Sequence, residues 1–587
     1  MATASVIHNE PTTTPTFFIL SEGKPISGKY GIVSIFVSRS VNKITSAYID
    51  LLDGDPAKET FELSESEEFV PGKEIEIYAG YSGNDYLIFK GIVIKNGIRS
   101  KGHEDSFLNV ELKDHSVAMT VGKKDRYFDP DQTDSAIIEE ILKDYPKMII
   151  ELEDTTVNQK EMVQYHCTDW DFILSRVEAN SQLVDVNGGS LRTFTPDLNQ
   201  KPILTITYGR NTYDFSAEID VRDQYAGVSS YGWDPAQQRG VEFSSTLPAN
   251  TEPGNISSDK LAEVIGLGSF KIQHSGLYNR QEMTVWSNAK MLRSKLAKII
   301  GHVKIKGYSD IRPGDLIKLL GFGERFNGVF FVSGVSHQIG LDSSWYTRLD
   351  FGLSQDWFLS KYDDIPQQPA SGLLPSVNGL QIGVVTEIAT DQDGEERIRV
   401  RIPVVDSEGR GSWARLCTLD AGPNGRGTYF RPEINDEVVV GYLNDDPRNP
   451  VILGVLHSSA HPSAVPPSEK NFKKGYRSRE KLELVFDDEL PSISLRTPKG
   501  KKIEFDDKAN EIKIEDNFKN KVCLSSSGIS FQSEGDIKII AGKSVFISAK
   551  RDVIVKASKN MTVTGTSGSE FSSGGQTIVK GTQVAIN

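Results

Sequence analysis

Residues 529–568 divide into five segments of eight residues: ISFQSEGD (529–536), IKIIAGKS (537–544), VFISAKRD (545–552), VIVKASKN (553–560) and MTVTGTSG (561–568). The first and third positions of each octad are large and apolar, and the fifth is small. Alternating apolar positions are typical of a strand with one buried face, and the small residue indicates a tight corner. The large residues are Ile529, Phe531, Ile537, Ile539, Val545, Ile547, Val553, Val555, Met561 and Val563. A fixed period of eight therefore predicts a repeat architecture made of strands.

The length of the repeat narrows the choice of architecture. Eight extended residues span at most about 27 Å, which is one wall of a prism. A single-chain β-helix needs two or three walls per coil, so one chain would have to run three similar octads in each coil. A prism of three chains needs only one octad per chain at each level. A sandwich of hairpins is less favoured, because its corners would want Asn-Gly or Asp-Gly turns. The octads therefore favour a trimeric triple-stranded β-helix whose core is formed by the ten large residues.

The bulk composition limits the class of protein. A chain of 587 residues is expected to form several domains, and its formal charge of -14 argues against a nucleic-acid partner. Cys167, Cys417 and Cys523 lie too far apart in sequence to suggest a zinc knuckle or a disulfide framework. The N-terminus lacks a basic segment followed by an apolar core, and no stretch approaches the roughly 20 apolar residues of a membrane span. We expect synthesis in the cytoplasm without a signal peptide, and export by an unconventional route.

Residues 1–16 are rich in Thr and Pro and are expected to form a flexible tail, and residues 17–360 are predicted to be α+β. Alternating runs predict strands at 34–38, 74–78 and 107–112. One helix is predicted with Asp134 or Ser135 as its cap and Pro146 as its stop, a second from Thr168 through Val177, and a third from Ser287 through Ile300 to Gly301. The whole region is predicted to contain two β-barrel units interrupted by helices.

The C-terminal half is predicted to be almost entirely β. Residues 361–375 read as a linker, 376–458 as a compact β unit, 459–480 as a second linker, and 481–587 as strands that end in the octads. The second linker carries a basic cluster, which could bind a phosphate backbone or lipid but is better explained as a solvated connector. Its members are Lys470, Lys473, Lys474, Arg477 and Arg479.

The middle β unit carries motifs that resemble a known family. In order they are Gly383-Val384-Val385, Arg397 to Val400, Trp413-Ala414-Arg415, Ala421-Gly422, Gly427, Phe430 to Glu433, Asp436 to Val440, Asp446 to Val451 and Gly454. This unit resembles the OB-fold domain of the VgrG family, the spike proteins of type VI secretion and related contractile machines. The motif residues that we expect to define the fold are Trp413, Arg415, Gly422, Pro432, Asp436, Glu437, Pro447 and Gly454. The stretch Asn444-Asp445-Asp446-Pro447 departs slightly from the family's frequent Gly-Asp-Pro.

The resemblance extends to both flanks. Residues 484–488 and 493–500 resemble the family's entry into its β-helix. The N-terminal 360 residues resemble its phage baseplate hub half through Phe89 to Val93, Gln164-Tyr165, Asp169 to Phe172, Arg312 to Leu316, Phe326 to Gly328 and His337. The resemblance implies a homotrimer in which two barrels per chain offer six similar faces to a hexameric inner tube. The OB domains would bridge to a needle that punctures the target envelope when the sheath contracts. Implied partners are the tube ring and baseplate components, and effector cargo is left open.

The octad frame fails near the C-terminus. Ser569 and Thr577 stand where large residues are due, whereas Ile578, Val584 and Ile586 lie off the frame. A β-helix that simply stopped would expose strand edges and an apolar cross-section. The resemblance implies that a PAAR-repeat protein caps this end, seated on a tip formed by Ile578, Val584, Ala585, Ile586 and Asn587.

The sequence offers little to support catalysis. His166 and Cys167 are adjacent and would point to opposite faces of a strand, and Asp391 to Gly394 reads as a turn rather than a calcium loop. Gly266 and Gly268 lack the third glycine of a dinucleotide motif. About 25 linker residues stand where the phage spike inserts a lysozyme domain, and no fused toxin is expected after Asn587. We expect no catalytic, cofactor or metal site, and no enzyme activity.

Other functions remain open in principle. A β-helical polysaccharide-degrading enzyme, or a phage tail spike that binds glycans, would need paired carboxylates or a metal in a groove, whereas the octads carry mainly Lys. An OB-fold nucleic-acid binder would need stacking aromatics and a basic face. Within the leading class, the short plain needle favours an extracellular injection particle over type VI secretion or a true phage.

Overall fold

The computed structural model describes residues 13–101, 105–247, 252–276, 280–342 and 344–586. The chain forms two compact units, residues 1–378 with 444–447 and residues 379–443 with 448–587. The first unit combines sheets with helices, whereas the second is built from strands joined by turns. The fold is therefore mainly β, as predicted from the sequence. Of the predicted N-terminal tail, residues 1–12 lie outside the described residues.

The first unit opens with a run of antiparallel strands around an apolar core. Their alternating residues point inward, so that Ile75, Phe89 and Leu108 have no exposed surface. All three predicted strand segments fall within these elements and are confirmed. The strands are β1 (Pro15–Ser21), β2 (Lys24–Pro25), β3 (Ile32–Ser40), β4 (Ser46–Leu52), β5 (Glu74–Tyr81), β6 (Asn84–Lys101) and β7 (Asp105–Lys113).

A subdomain of two helices and short strands follows. It consists of β8 (Lys124–Phe128), β9 (Gln132–Thr133), α1 (Asp134–Leu142), β10 (Ile149–Glu151), β11 (Asn158–Gln159), β12 (Met162–Cys167), α2 (Asp169–Ala179), β13 (Leu183–Asn187) and β14 (Ser190–Phe194). Both helices were predicted, and Thr168 caps α2 by accepting from the Asp171 N–H. The predicted cap of α1 was wrong, because Thr133 accepts from the Ala136 N–H. Asp134 is instead buried, and its carboxylate accepts from Arg176 Nε at 2.7 Å.

The rest of the first unit returns mainly to strands. They are β15 (Leu204–Thr207), β16 (Asp214–Ile219), β17 (Val228–Asp234), β18 (Arg239–Ser244), β19 (Phe270–Gln273), β20 (Ile299–Lys306), β21 (Leu316–Leu320), β22 (Gly328–Gly340) and β23 (Trp345–Phe351). The helices here are α3 (Ser258–Ile265), α4 (Arg280–Leu296), α5 (Gly323–Phe326) and α6 (Phe358–Lys361). A second core forms around Val303, Ile305, Leu349 and Phe351.

The third predicted helix was wrong in its bounds. Helix α4 begins seven residues before Ser287, because its buried stripe continues back to Met283. It ends at Leu296, since Val303 and Ile305 alternate inward in β20 and pair with β23. Ile300 therefore lies in a strand rather than in the helix.

The two β cores share one continuous sheet. Strand β22 pairs with β23 and β21 in the second half, and residues 334–340 of the same strand pair with Ser34–Ser40 of β3 in the first half. The sequence predicted two β-barrel units, and two cores are present. Their strands, however, are joined edge to edge through β22.

Buried charges hold the segment that leaves the last strand, here called the exit segment (residues 354–367). Arg293 of α4 pairs with Glu178 of α2 and donates to the carbonyls of Ser354 and Asp356 at 2.8 and 2.9 Å. The Glu178 carboxylate accepts from the Phe358 N–H at 2.7 Å. Further along, Lys123 Nζ donates to the carbonyls of residues 364, 365 and 366. The exit segment is thus bonded largely through its backbone.

The second unit begins with a closed five-stranded barrel. Its strands are β24 (Gln381–Glu387), β25 (Ile398–Arg401), β26 (Ser412–Leu416), β27 (Glu437–Tyr442) and β28 (Pro450–Val455), in the order β24-β25-β26-β28-β27. Val385, Val400, Val438 and Ile452 fill it with at most 2% of their surface exposed. All five strands lie within the unit predicted from 376 to 458.

A seven-stranded antiparallel meander follows the barrel. It consists of β29 (Lys473–Arg477), β30 (Glu483–Asp487), β31 (Ser492–Arg496), β32 (Lys502–Asp506), β33 (Glu511–Glu515), β34 (Lys521–Ser525) and β35 (Gly528–Gln532). The first strand lies inside the predicted linker 459–480. Its alternation is hard to recognise, because Tyr476, which pairs with Leu484, stands between Gly475 and Arg477 as the only large apolar residue of the strand. No strand forms among residues 533–586, all of which the structure describes.

Candidate functional site

The C-terminal sheet presents one apolar face, which alternation and register assemble from six strands. Residues directly opposite each other across an antiparallel pair lie on the same face. The pairings connect two rows of large residues, and together the rows form what we call the apolar face. The first row consists of Leu484, Leu495, Ile503, Ile514, Val522 and Phe531. The second row consists of Phe486, Ile493, Phe505, Ile512, Leu524 and Ile529.

The apolar face is open to solvent in the single chain. Phe505 is 47% exposed and Phe531 67% exposed. The first row also lines a groove of about 1200 Å³ together with Tyr476 and Phe518. A contiguous apolar surface of this kind is typical of a protein interaction site.

The opposite face of the sheet is ionic and neutralises itself. Lys502 and Arg496 both pair with Glu504, the latter at 3.7 Å, and Lys513 pairs with Glu511 at 2.5 Å. Each of these pairs joins residues on the same face. The sheet therefore separates an apolar face from a charge-balanced one.

The octads begin on this sheet. Strand β35 contains Ile529 and Phe531, the first wall residues of the first octad, and these pair with Leu524 and Val522 on the apolar face. In the sequence, the wall positions of the later octads keep the same spacing, whereas residues 533–586 form no strand in the single chain. All ten predicted needle-core residues are more than half exposed in the single chain. Their role in a trimer core stays a prediction.

The predicted tip is also exposed. Ile578, Val584 and Ile586 expose 61%, 50% and 91% of their surface, and Ala585 is exposed as well. Asn587 lies outside the described residues. No contact of these residues tests the proposed seat for a PAAR-repeat protein, which stays a prediction.

The predicted OB motif residues lie in the barrel and its loops. Trp413 packs under the guanidinium of Arg399 at 5.2 Å, and Pro432 is buried. A side chain at Gly422 would begin 2.2 Å from the guanidinium of the exposed Arg426, which would have to move aside. Arg415 is an exposed residue of β26, and Pro447 is half-buried. Asp436 accepts a hydrogen bond from the Glu433 N–H, and Glu437 begins β27. Gly454 pairs with Val439.

The basic cluster before the sheet is paired with acids. Lys474 pairs with Asp488 at 2.7 Å, Lys473 with Asp487 at 3.7 Å and Arg479 with Glu433 at 3.0 Å. Arg477 pairs with Glu483, and Lys470 reaches Glu489 at 4.0 Å. Each base of the cluster therefore has an acidic partner within the chain.

The residues considered for catalysis are not arranged for it. Burial raises the pKa of the Cys167 thiol to about 11, and the neighbouring His166 lies 3.9 Å from Asp125. Arg397 binds Asp391 at 2.6 Å and holds the pKa of that carboxyl far below its usual range. The guanidinium of Arg397 thus supplies the positive charge that a calcium ion would supply in a calcium loop. Gly266 ends α3 with a φ of 73°.

Within the described ranges, no three His, Cys, Asp or Glu side chains are grouped as a metal site would require. None of the helices in those ranges combines the length and apolar character needed to span a bilayer.

The family comparison agrees with this architecture. The Alg8 N-terminal domain model matches residues 11–340, which is more than half of the chain. The chain belongs to the Alg8 N-terminal domain family. A second model, the type VI secretion system/phage-baseplate injector OB domain, matches residues 381–457 and thus the five-stranded barrel. The chain therefore combines an Alg8 N-terminal domain with an injector-type OB barrel.

Curated relatives of this Alg8-family chain are spike proteins. The type VI secretion system spike protein VgrG4b of Pseudomonas aeruginosa is 36% identical over 98 residues, which cover 15% of this chain and 12% of that protein. VgrG1a of the same organism is 29% identical over 177 residues, covering 27% and 26%. The matches thus span about a quarter or less of these relatives. The chain resembles VgrG-type spike proteins in these segments.

Solved structures of tail proteins align more loosely. The E. coli c3393 protein, a type VI secretion component, is 12% identical with a TM-score of 0.37, covering 75% of this chain and 99% of that one. A 43 kDa prophage MuSo2 tail protein from Shewanella oneidensis is 10% identical with a TM-score of 0.45, covering 58% and 99%. With TM-scores below 0.5, the family assignment rests on the sequence models.

Proposed function

We propose that the chain is the spike and hub at the tip of the inner tube of a contractile injection machine. It acts as a homotrimer that adapts a hexameric tube to a trimeric needle, and the needle punctures the target envelope when the sheath contracts. The proposal is supported chiefly by the apolar face of the sheet, which the single chain leaves open, and by the octads, whose sequence repeats the same alternation of large apolar residues.

Two further copies of the chain are the natural cover for this surface. Fully burying one Val, Ile, Leu or Phe side chain contributes about 1.5–3 kcal/mol. The octads repeat at the length of one prism wall, so three chains supply three walls at every level without any other partner. The family description of the OB barrel and the VgrG-type relatives support the same assignment.

The remaining partners follow from the proposed role. The first unit, with its two cores in one sheet, would contact the inner tube ring and baseplate components, and a PAAR-repeat protein would sit on the tip. The particle would be released extracellularly or delivered into target cells. The proposed role is mechanical and needs neither cofactor nor catalytic site. No observation favours the β-helical polysaccharide-degrading enzyme or the glycan-binding tail spike.

The tip provides the test. Removing residues 577–587 should leave a soluble trimer, by light scattering, that no longer retains a purified PAAR-repeat protein in a pull-down. A V584S/I586S variant should weaken retention through loss of apolar contact alone, whereas K580Q, in the same segment, should leave it unchanged. Retention by the truncated chain equal to that of the full chain would refute the tip assignment.

A further inference from the structure

One stretch of the octads is positively charged, whereas the chain as a whole is negatively charged. Residues 537–560 carry six basic side chains and one acid, Asp552, a net charge of +5 in a chain of net charge -14. The basic residues are Lys538, Lys543, Lys550, Arg551, Lys556 and Lys559. Lys538, Lys550 and Lys556 stand at even octad positions, one in each of three successive octads.

These bases differ from those of the preceding sheet in their partners. On the sheet, Lys513, Lys502 and Arg496 are neutralised by acids of the same face. Within the described part of residues 537–560, only Lys538 has an ion pair, with Asp536 at 3.9 Å. The other five bases present unneutralised charge to the surroundings.

The same stretch carries large apolar residues on its outer side. Wall residues occupy the odd positions one and three, so even positions face away from the predicted prism axis. Ile540, Phe546 and Ile554 occupy even positions and expose 91%, 91% and 72% of their surface. In the following octad the even positions hold Thr562, Thr564 and Thr566, and in the preceding one they hold polar residues. Outward apolar residues thus coincide with the cationic stretch.

We infer that residues 537–560 form an outer belt around the needle that binds the headgroup region of an anionic lipid bilayer. The inference rests on the trimeric needle proposed above, since three copies arrange the stretch as a ring. Each level consumes one octad per chain, so three levels at the strand spacing make a belt about 14 Å tall. Cations attract anionic headgroups, and interspersed apolar side chains enter the boundary with the acyl chains.

Other occupants fit less well. A second needle would bring like charges together, which opposes association. Single-stranded nucleic acid would use aromatic stacking platforms, and Phe546 is the one aromatic residue in the stretch. Aliphatic Ile540 and Ile554 have no role on a polyanion, whereas they are suited to a lipid boundary.

The belt is tested by vesicle flotation with the full-length protein, whose trimeric state is first established by light scattering. The wild type should float with vesicles of equal parts phosphatidylcholine and phosphatidylglycerol, and not with phosphatidylcholine alone. A K538Q/K550Q/K556Q variant, which removes the bases at even positions, should lose more than about tenfold in affinity, since each base near an anionic surface contributes to binding. An I540S/F546S/I554S variant should still bind at low salt but lose the binding that the wild type retains at high salt. The matched control K499Q/K508Q/K519Q removes three exposed bases from turns of the sheet and should bind as the wild type does.

Each contrary result has a distinct meaning. A wild-type trimer that binds neither vesicle, or both equally, would overturn the belt and leave the proposed spike role standing. An equal loss in the control variant would overturn its location. Binding to duplex DNA without binding to anionic vesicles would overturn the lipid assignment. A monomeric wild type would overturn both the belt and the trimeric spike.

Discussion

The first unit and the octads use the same residue types with opposite results. Phe89, Leu108 and Ile305 are fully buried because neighbouring strands of the same chain cover them. Ile539 and Ile547 are 74% and 73% exposed because residues 533–586 form no strand with their own chain. The difference teaches that the first unit carries its own core, whereas the octads leave their apolar residues uncovered within one chain and, in the proposed trimer, would be covered by two further copies.

The strongest way to break this comparison is to charge one wall position. Ile539→Asp would place three carboxylates near one axis, where they cannot all ionise without a large cost. We expect the variant to run as a monomer in light scattering while the first unit stays folded. Ile540→Asp is the matched control. Ile540 is the next residue and lies on the outer side, so a charge there should leave the trimer intact. A trimeric I539D protein would contradict the wall assignment.

A change in the hub should act within one chain. Arg293→Ala leaves Glu178 buried without its cation, which should destabilise the first unit by about 3–5 kcal/mol. Unfolding in urea can be followed by tryptophan fluorescence, because five of the six tryptophans lie in residues 1–378. The midpoint should not depend on protein concentration, unlike that of the trimer. Arg222→Ala, which removes an 80% exposed side chain, is the control and should have no measurable effect.

The R293A defect should also depend on pH. Burial raises the pKa of Glu178, and loss of Arg293 removes an interaction that opposes this shift. A carboxyl with a raised pKa in the folded state binds its proton more tightly there than in the unfolded chain. The penalty is therefore absent below the ordinary Glu pKa and grows as the pH rises towards the folded value. The deficit should shrink at acidic pH, and an E178Q/R293A variant should be more stable than R293A at neutral pH. A deficit that is constant with pH would contradict this account.

The smallest effect is expected on the sheet surface. Lys474→Gln removes the pair with Asp488, whose two side chains are 56% and 61% exposed. Exposed pairs of this kind are worth less than about 1 kcal/mol. Urea unfolding of the trimer should barely change, and a loss comparable to that of R293A would show that the basic cluster carries more of the fold than its exposure implies.

The sequence was most informative where a pattern is local or periodic. The helix after Thr168 and the barrel from 381 to 455 were predicted because caps, alternation and family motifs all lie within short windows. Helix α4 was misplaced, because Ile299 and Ile300 continue an apolar run whose strand character depends on pairing with β23. Helix α3 was missed, although Ser257 and Gly266 are recognisable caps. The pairing of β22 with β3 joins residues about 300 positions apart, and no local signal predicts it.

The candidate site also contains residues that a local pattern predicts and residues whose partners are distant in the sequence. Wall positions could be assigned from the period of eight, and the pairing of Ile529 and Phe531 with β34 gives the face to which they belong. The neutralised basic cluster could not be foreseen, because Arg479 finds its acid 46 residues earlier, in Glu433. Electrostatic partners across a fold leave no spacing rule in the sequence.

The pairing of β22 with β3 also determines how the hub would respond to load. Seven residue pairs join the strands, from Gly334 with Ser40 to Gly340 with Ser34. Antiparallel hydrogen bonds run perpendicular to the strands. A force along the strands would shear all of these bonds together, whereas a force across them would open the bonds one after another. The joint between the two cores is therefore stiff along one direction and weak along the other, a mechanical anisotropy set by a single shared strand.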